Sequence, residues 1–190
     1  MSTYRILDYP DPRLKTVAQK VDDINAPHVQ EMIHNMLETL ENTDHCGGLA
    51  ATQLDIEKPL RIFVYYDYEN DDPSNQVARV IVNPEIVKTE GEVNEQEGCM
   101  SVYPDHIHAA VKRPALTTMK ALNEKGETIE LARGGYLAKL FIHEVDHLEG
   151  KVYIDHLKPL KRAMLDKKIA KLRKNLASNS CGDAHCHHDH

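Results

Sequence analysis

The sequence predicts an α+β domain, with antiparallel strands packed around one central helix, an N-terminal helix and a basic C-terminal helix. Three observations lead there. The strand-like runs cluster instead of alternating with helices, which argues against a doubly wound parallel sheet. LTTMKAL and TIELAR flank NEKG, the pattern of a hairpin with its turn near Gly126. Three stretches have helical character, and the second holds both histidines of FIHEVDHLEG.

Each element follows from its residues. PDPR at 10–13 forms turns. Val29, Met32, Ile33, Met36, Leu37 and Leu40 recur at the helical period, and Pro27 stands near the start, where a missing N–H costs little. A glycine-containing loop, HCGGLAATQ, follows. LRIFVYY (60–66) and ARVIVNPEIV (78–87) are rich in β-branched and aromatic residues and read as strands, with YENDDPSN as the turn between them. EGEVNEQE (90–97) is acidic and reads as a loop, and a strand is expected to carry GCMSV. Gly134 and Gly135 precede the central helix, expected over 136–148, and Gly150 follows as its stop. A last helix is expected over 158–176, with Leu165, Ile169, Leu172 and Leu176 on one face. One domain through residue 177 is expected, and residues 178–190, rich in cysteine and histidine, read as a disordered tail.

Composition narrows the class. The chain has 190 residues, 41% hydrophobic and 28% charged, which suits one soluble globule with a mostly aliphatic core. MSTYRILDYPDPRLK lacks an apolar run after its positive charges, so no signal peptide is expected. No stretch approaches the ~20 apolar residues of a membrane span. The expected compartment is the cytoplasm, where Cys46, Cys99, Cys181 and Cys186 serve as thiols or metal ligands and not as a disulfide framework. The net charge of −7 is uneven: residues 158–177 hold eight basic side chains and one acid, on an otherwise acidic chain. Such a segment suits an anionic partner or a solvated helix face. Neither a membrane nor DNA is expected as a partner.

On a helix, positions four apart lie about 40° apart on one face, so His143 and His147 can share an ion. Glu144, about 100° round from His143, can reach a water on that ion without being a ligand. Leu137, Phe141, Val145 and Leu148 form a neighbouring apolar stripe, and Asp146 points away, toward a structural hydrogen bond or ion pair. A zinc-type catalytic site has three protein ligands and one open position. HEVDHLEGKVY follows HExxHxxGxxH until Tyr153 stands in the last place. Glu149, Asp155 and His156 are downstream candidates for the third ligand, and Cys99 in EGCMS is the upstream one. The residues alone leave these open.

GGLAATQ (47–53), EGCMS (97–101) and HEVDH (143–147) resemble, in order, the three motifs of bacterial peptide deformylases, and ILDYPDPRL resembles that family's opening. The likeness runs to about residue 176. It implies Cys99, His143 and His147 as ligands of one divalent metal, ferrous iron in the cell, with zinc, nickel or cobalt as alternatives. It implies removal of the formyl group from N-formylmethionine of new proteins, with release of formate. Glu144 would be the general acid–base. The Gln53 amide and the Met100 backbone N–H would hold the developing oxyanion. Gly48 and Gly98 would contact the peptide backbone, and Tyr136 and Leu140 would line the methionine pocket. The basic C-terminal helix would dock on the ribosome.

The chain departs from the family pattern at several places. Cys46 and Gly47 stand where a glycine and a hydrophobic residue are usual, Met100 where leucine is, and Ile142 where glutamine is common. Lys139 replaces an aliphatic residue, and the segment between Cys99 and Arg113 is longer, with His106 and His108 where an arginine is often found. Two other readings compete. An HExxH metallopeptidase would use a downstream ligand and leave Cys99 idle. A non-catalytic ribosome- or metal-binding protein would not need Glu144.

Overall fold

The computed structural model describes residues 2–68 and 75–182, the last four by backbone alone. The chain divides into two compact units, Met1–Tyr153 and Ile154–His190. In the first, helix α1 (Pro27–Glu41) precedes strands β1 (Gly48–Ala50), β2 (Ile62–Tyr68), β3 (Gln76–Glu90), β4 (Val93–Glu97), β5 (Ala109–Arg113), β6 (Leu116–Leu122) and β7 (Thr128–Gly134). Helix α2 (Gly135–Leu148) follows directly. Five strands form one antiparallel sheet in the order β1-β2-β3-β6-β7, and β4 pairs with β5 in a second.

Strand β2 explains why the sheet is covered on both faces. Its side chains alternate between the two sides. Ile62 and Val64 join Val29, Met32, Ile33, Met36 and Leu40 of α1 in one buried cluster. Phe63 and Tyr65 join Leu137, Phe141, Val145 and Leu148 of α2 in another. The Tyr65 and Phe141 rings meet edge to face at 5.3 Å. An unbroken apolar run such as IFVYY is what a strand buried on both faces requires. Helix α2 is thereby held by its apolar stripe, and the hydrophobic periodicity of both helices agrees with their burial.

The expected hairpin forms, with β6 and β7 in register from Leu116↔Gly134 to Leu122↔Thr128. Gly150 ends the α2 region with φ 71°, and a Cβ there would lie 2.5 Å from the Lys15 carbonyl oxygen, so only glycine fits. Strand β3 runs longer than expected and breaks register near Asn83–Pro84. The Asn83 side chain there exchanges hydrogen bonds with the Val21 backbone N–H and C=O, at 2.9 and 2.8 Å.

Two expectations for the middle of the chain are corrected. EGEVNEQE was expected as a loop, but Val93–Glu97 is strand β4, paired with β5 from Val93↔Arg113 to Glu97↔Ala109. Lys112 pairs with Glu92, just before β4, and Arg113 pairs with Glu97. GCMSV was expected as a strand, but β4 stops at Glu97 and the chain turns, with Val102 N–H donating to the Cys99 carbonyl at 2.9 Å. The turn is fastened to a distant segment, since Tyr9 N–H donates to the Ser101 carbonyl at 2.8 Å.

In the second unit, helix α3 runs Pro159–Gly182, past the expected end near 176. No glycine or proline interrupts the helix before Gly182, so residues 178–182 of the expected tail are helical. The remainder of that tail, residues 183–190, lies outside the described residues, as does most of the expected turn YENDDPSN. Ile169 is buried and Leu165 and Leu172 half-buried, whereas Leu160, Met164 and Leu176 are exposed. Arg162 bridges Asp155 at 2.6 Å and Asp166 at 3.0 Å. No helix of the described residues is long and apolar enough to cross a membrane.

Candidate metal centre

The α2 stripe that packs on the sheet turns the opposite face of the helix toward a cleft of about 590 Å³. His143, Glu144 and His147 lie on that face, and all three are buried. The turn after β4 brings Cys99 to them. Cys99 Sγ is 3.2 Å from His147 Nε2, which is 3.2 Å from His143 Nε2. The three donor atoms lie within 4.8 Å of one another, and this trio is the metal-competent group among the described residues. One tetrahedral ion with ordinary metal–sulfur and metal–nitrogen distances would separate such donors by about 3.3–3.6 Å. The donor set therefore fits a single divalent ion of the zinc or iron type.

Two of the three downstream candidates are occupied elsewhere. Glu149 pairs with Arg61 and Lys151, and Asp155 with Arg162. Tyr153, which breaks the longer protease pattern, stacks its ring on His143 at 6.2 Å and donates its hydroxyl to the Ile107 carbonyl at 3.1 Å.

Orientation of His143 comes from a buried ion-pair network that sequence reading missed. His143 Nδ1–H donates to Glu97 Oε1 at 2.5 Å, which leaves Nε2 to face the thiol. Arg113 donates to both oxygens of Glu97 at 2.9 and 2.8 Å, and to Asp146 at 2.7 Å. Asp146 thus makes the structural ion pair expected of it. Burial alone would raise the Glu97 carboxyl, but Arg113 and His143 outweigh it and hold it at about 2. In the metal-free chain, burial opposes protonation of both ring systems. It prevails at His147, whose pKa falls well below the ordinary value. At His143, Cys99 and Glu97 overcome it and the pKa rises.

Glu144 sits deeper than helix geometry alone could tell. It is 2% exposed, and burial raises its carboxyl to about 7. Its Oε2 and His147 Nδ1 are the buried side-chain polar atoms without a hydrogen-bond partner among the described residues. A Cβ on Gly48 would come within 2.9 Å of Glu144 Oε1 and 3.2 Å of the Val64 carbonyl oxygen, so glycine lets the carboxylate lie against β1.

Gln53 ends a 3-10 turn, Ala51–Gln53, that follows β1. Its Oε1 accepts the Ala50 backbone N–H at 2.8 Å, which commits Nε2 to the thiol side. Nε2 lies 3.4 Å from Cys99 Sγ and 3.3 Å from Ser101 Oγ. Gly48, Gln53, Gly98, Met100, Tyr136 and Leu140 all line the cleft beside Cys99, His143 and Glu144.

Four of the sites of departure from the family pattern have physical accounts. The Tyr136 hydroxyl occupies the room a side chain at Gly47 would need, 1.9 Å from an ideal Cβ there. Lys139 lines the cleft and pairs its ammonium with Glu95, at 3.1 Å. Cys46 donates to the Gly48 carbonyl at 3.3 Å, and burial, helped by Glu144, pushes its thiol up to about 12. It is a packed thiol in this environment. The His108 ring covers Gly98.

Comparison with known proteins agrees with these motifs. The model of the polypeptide deformylase family matches residues 3–163. The chain is 42% identical over 171 residues to peptide deformylase 1 of Coxiella burnetii, covering 90% of this chain and 97% of that protein. It is 41% identical over 179 residues to a peptide deformylase of Stenotrophomonas maltophilia, covering 93% and 100%. A crystal structure of a Legionella pneumophila peptide deformylase superposes with a TM-score of 0.79 at 37% identity, covering 93% of this chain and 98% of that one. One from Ehrlichia chaffeensis, in complex with actinonin, gives 0.77 at 29% identity, covering 90% and 98%.

Proposed function

This chain belongs to the polypeptide deformylase family, and from that premise we propose how its own residues carry the reaction. It is a metal-dependent amide hydrolase that removes the formyl group from N-terminal formylmethionine, releasing formate. The observation that carries the residue assignment is the convergence of Cys99 Sγ with two imidazole nitrogens beside a buried, partnerless carboxylate oxygen.

Cys99, His143 and His147 hold the metal, and when bound it lowers the pKa of a water toward neutrality. Glu144 accepts a proton from the attacking water at Oε2. A carboxyl held near 7 by burial suits that task, because it can also release the proton near neutral pH. As the new C–O bond forms, charge gathers on the former formyl oxygen. The Gln53 amide, aimed by its bond to Ala50, and the Met100 N–H donate to it. The C–N bond then breaks, Glu144 returns its proton to the departing amine, and formate and a free N-terminal methionine result. Gly48 and Gly98 border an extended peptide, and Tyr136 and Leu140 wall the methionine side chain. No observation favours the metallopeptidase, two of whose downstream candidates, Glu149 and Asp155, are engaged elsewhere.

The finer assignments are part of the same proposal. The thiolate and two imidazoles suit ferrous iron in the cell, with zinc, nickel or cobalt able to replace it. The catalytic domain runs through residue 177, followed by a Cys/His-rich tail. The basic face of α3 meets ribosomal RNA phosphates, and the protein acts in the cytoplasm on chains leaving the ribosome. Formate release from formyl-Met-Ala-Ser by wild type, Cys99→Ala and Glu144→Ala, compared anaerobically, tests the core of the reading. Loss of metal in the first variant and loss of rate with metal retained in the second are expected. A Cys99→Ala protein that keeps metal and activity overturns it. Metal analysis of anaerobically purified protein tests the iron assignment, and salt-dependent co-sedimentation with ribosomes tests the role of α3.

A further inference from the structure

The cleft wall beside the buried centre carries more hydrogen-bond donors than a thioether can use. Tyr136 stands on the first turn of α2 and sets its hydroxyl over Gly47, 1.9 Å from where an ideal Cβ would lie, with Leu140 Cδ1 3.5 Å from the same point. Gly47, Tyr136, Lys139 and Leu140 line the cleft that also holds Cys99, His143 and Glu144. The Tyr136 ring meets that of Tyr68 at 6.5 Å and has the Lys139 ammonium 5.9 Å from its centre, but among the described residues its hydroxyl makes no hydrogen bond. Burial pushes the phenol up to about 12, so it keeps its proton at neutral pH. The Lys139 side chain is 15% exposed, and its ammonium donates to Glu95 at 3.1 Å and to the Gln96 carbonyl at 3.4 Å. An ammonium has three hydrogens, so one remains. The sulfur of methionine is a weak acceptor and leaves both donors poorly matched.

We propose that this wall admits oxidised chain ends: the Tyr136 hydroxyl, with Lys139 beside it, lets the protein deformylate chains that begin with formylmethionine sulfoxide. The inference rests on the deformylase reading and adds a substrate class to it. Methionine sulfoxide keeps the methionine skeleton and adds one polar oxygen on the sulfur, and it is a common lesion where oxidants of the peroxide class reach a methionine. In an apolar pocket that oxygen would lose its water without replacement, and such a pocket rejects an added polar group by about a hundredfold. Here the phenol can donate to the oxygen in place of water, and the remaining N–H of Lys139 is a second donor. The reaction is otherwise the same. One water is consumed, the formyl C–N bond breaks, formate leaves, and the sulfoxide stays on the released amine at its original oxidation level. The sulfoxide sulfur is chiral, so a donor fixed on one side of the pocket also favours one epimer over the other.

The test uses metal-loaded full-length enzyme, kept anaerobic, with formyl-Met-Ala-Ser and each epimer of its methionine sulfoxide form. kcat/KM is read as formate release for wild type, Tyr136→Phe and Tyr136→Phe/Lys139→Met. Within each enzyme the value for the faster sulfoxide epimer is divided by that for methionine, so any change in folding or metal content cancels. The expected ratio is within about threefold of one for wild type, about tenfold lower in Tyr136→Phe and about a hundredfold lower in the double variant. Phenylalanine keeps the ring and removes only the hydroxyl, so a space-filling role for Tyr136 would leave the ratio where it was. A wild-type ratio below about one-tenth, or a ratio that Tyr136→Phe leaves unchanged, overturns the proposal. If the wild type releases no formate from formyl-Met-Ala-Ser, the deformylase reading itself fails, an outcome distinct from a low ratio.

Discussion

Replacing Arg113 by methionine removes the cation that two buried carboxylates share. The Arg113 side chain is 3% exposed and that of Glu97 4%, so neither charge has water to fall back on. The Glu97 carboxyl lies at about 2 in the folded protein against an ordinary 4.5: burial raises it, and the bonds from Arg113 and His143 more than offset that. A carboxyl depressed in the folded state contributes stability that is fully present above about pH 4.5 and is lost as pH falls toward about 2. At about 1.4 kcal/mol per pH unit, that contribution is about 3 kcal/mol, shared between Arg113 and His143. Cutting a buried pair from one side independently costs about 3–5 kcal/mol. Arg113→Met should therefore destabilise the protein by about 3 kcal/mol at pH 7. It should also weaken metal binding about tenfold, because Glu97 no longer holds His143 in one orientation. Adding Glu97→Gln should recover part of the stability by removing the stranded charge, though Asp146 still lacks its partner. Urea unfolding of wild type, the single and the double variant measures this, with metal affinity by competition against a chelator. A loss below about 1 kcal/mol, or a double variant no more stable than the single, refutes the reasoning.

Three further variants have expected outcomes. Glu144→Gln should retain metal and lower kcat by about 10²–10⁴, read as formate release. In metal-free protein the same variant reports a pH dependence. A carboxyl raised by burial to about 7 costs the wild type stability as pH rises from about 4.5 to about 7. Glu144→Gln should gain about 3 kcal/mol on wild type across that window, and parallel stability curves would contradict the burial argument. Gln53→Ala should lower kcat by about 10²–10³ with little change in metal content, and an unaltered kcat would remove it from oxyanion binding. Gly48→Ala should cost about 1–3 kcal/mol and reduce kcat, because its Cβ meets both the Glu144 carboxylate and the unyielding Val64 carbonyl. Thermal unfolding with a parallel rate measurement checks both effects.

Much of the architecture is legible locally. The period of Val29 to Leu40 marks α1, the NEKG turn marks the β6–β7 hairpin, and Gly150 marks the end of the α2 region. The His143–His147 spacing places two ligands on one helix face, since rotation per residue is a property of the backbone. The β4–β5 region is not legible locally. EGEVNEQE has a loop's composition, and it becomes a strand because Ala109–Arg113 pairs with it and supplies compensating cations. GCMSV has a strand's composition, and it becomes a turn because Tyr9 and Val102 take up its carbonyls.

The helices, the hairpin, the HExxH face and, through three ordered motifs, the family can be read along the linear chain. Those rest on chemistry between residues close in the chain. Folding in three dimensions settles that the Cys99 sulfur reaches His147, which lies 48 positions along, and that Glu97 and Arg113 orient His143. It also settles that Glu144 is buried deeply enough to titrate near neutrality and that the Tyr136 hydroxyl lies over Gly47. Such facts depend on the register of distant strands and on the water excluded between them. Neither is a property of any short stretch of residues.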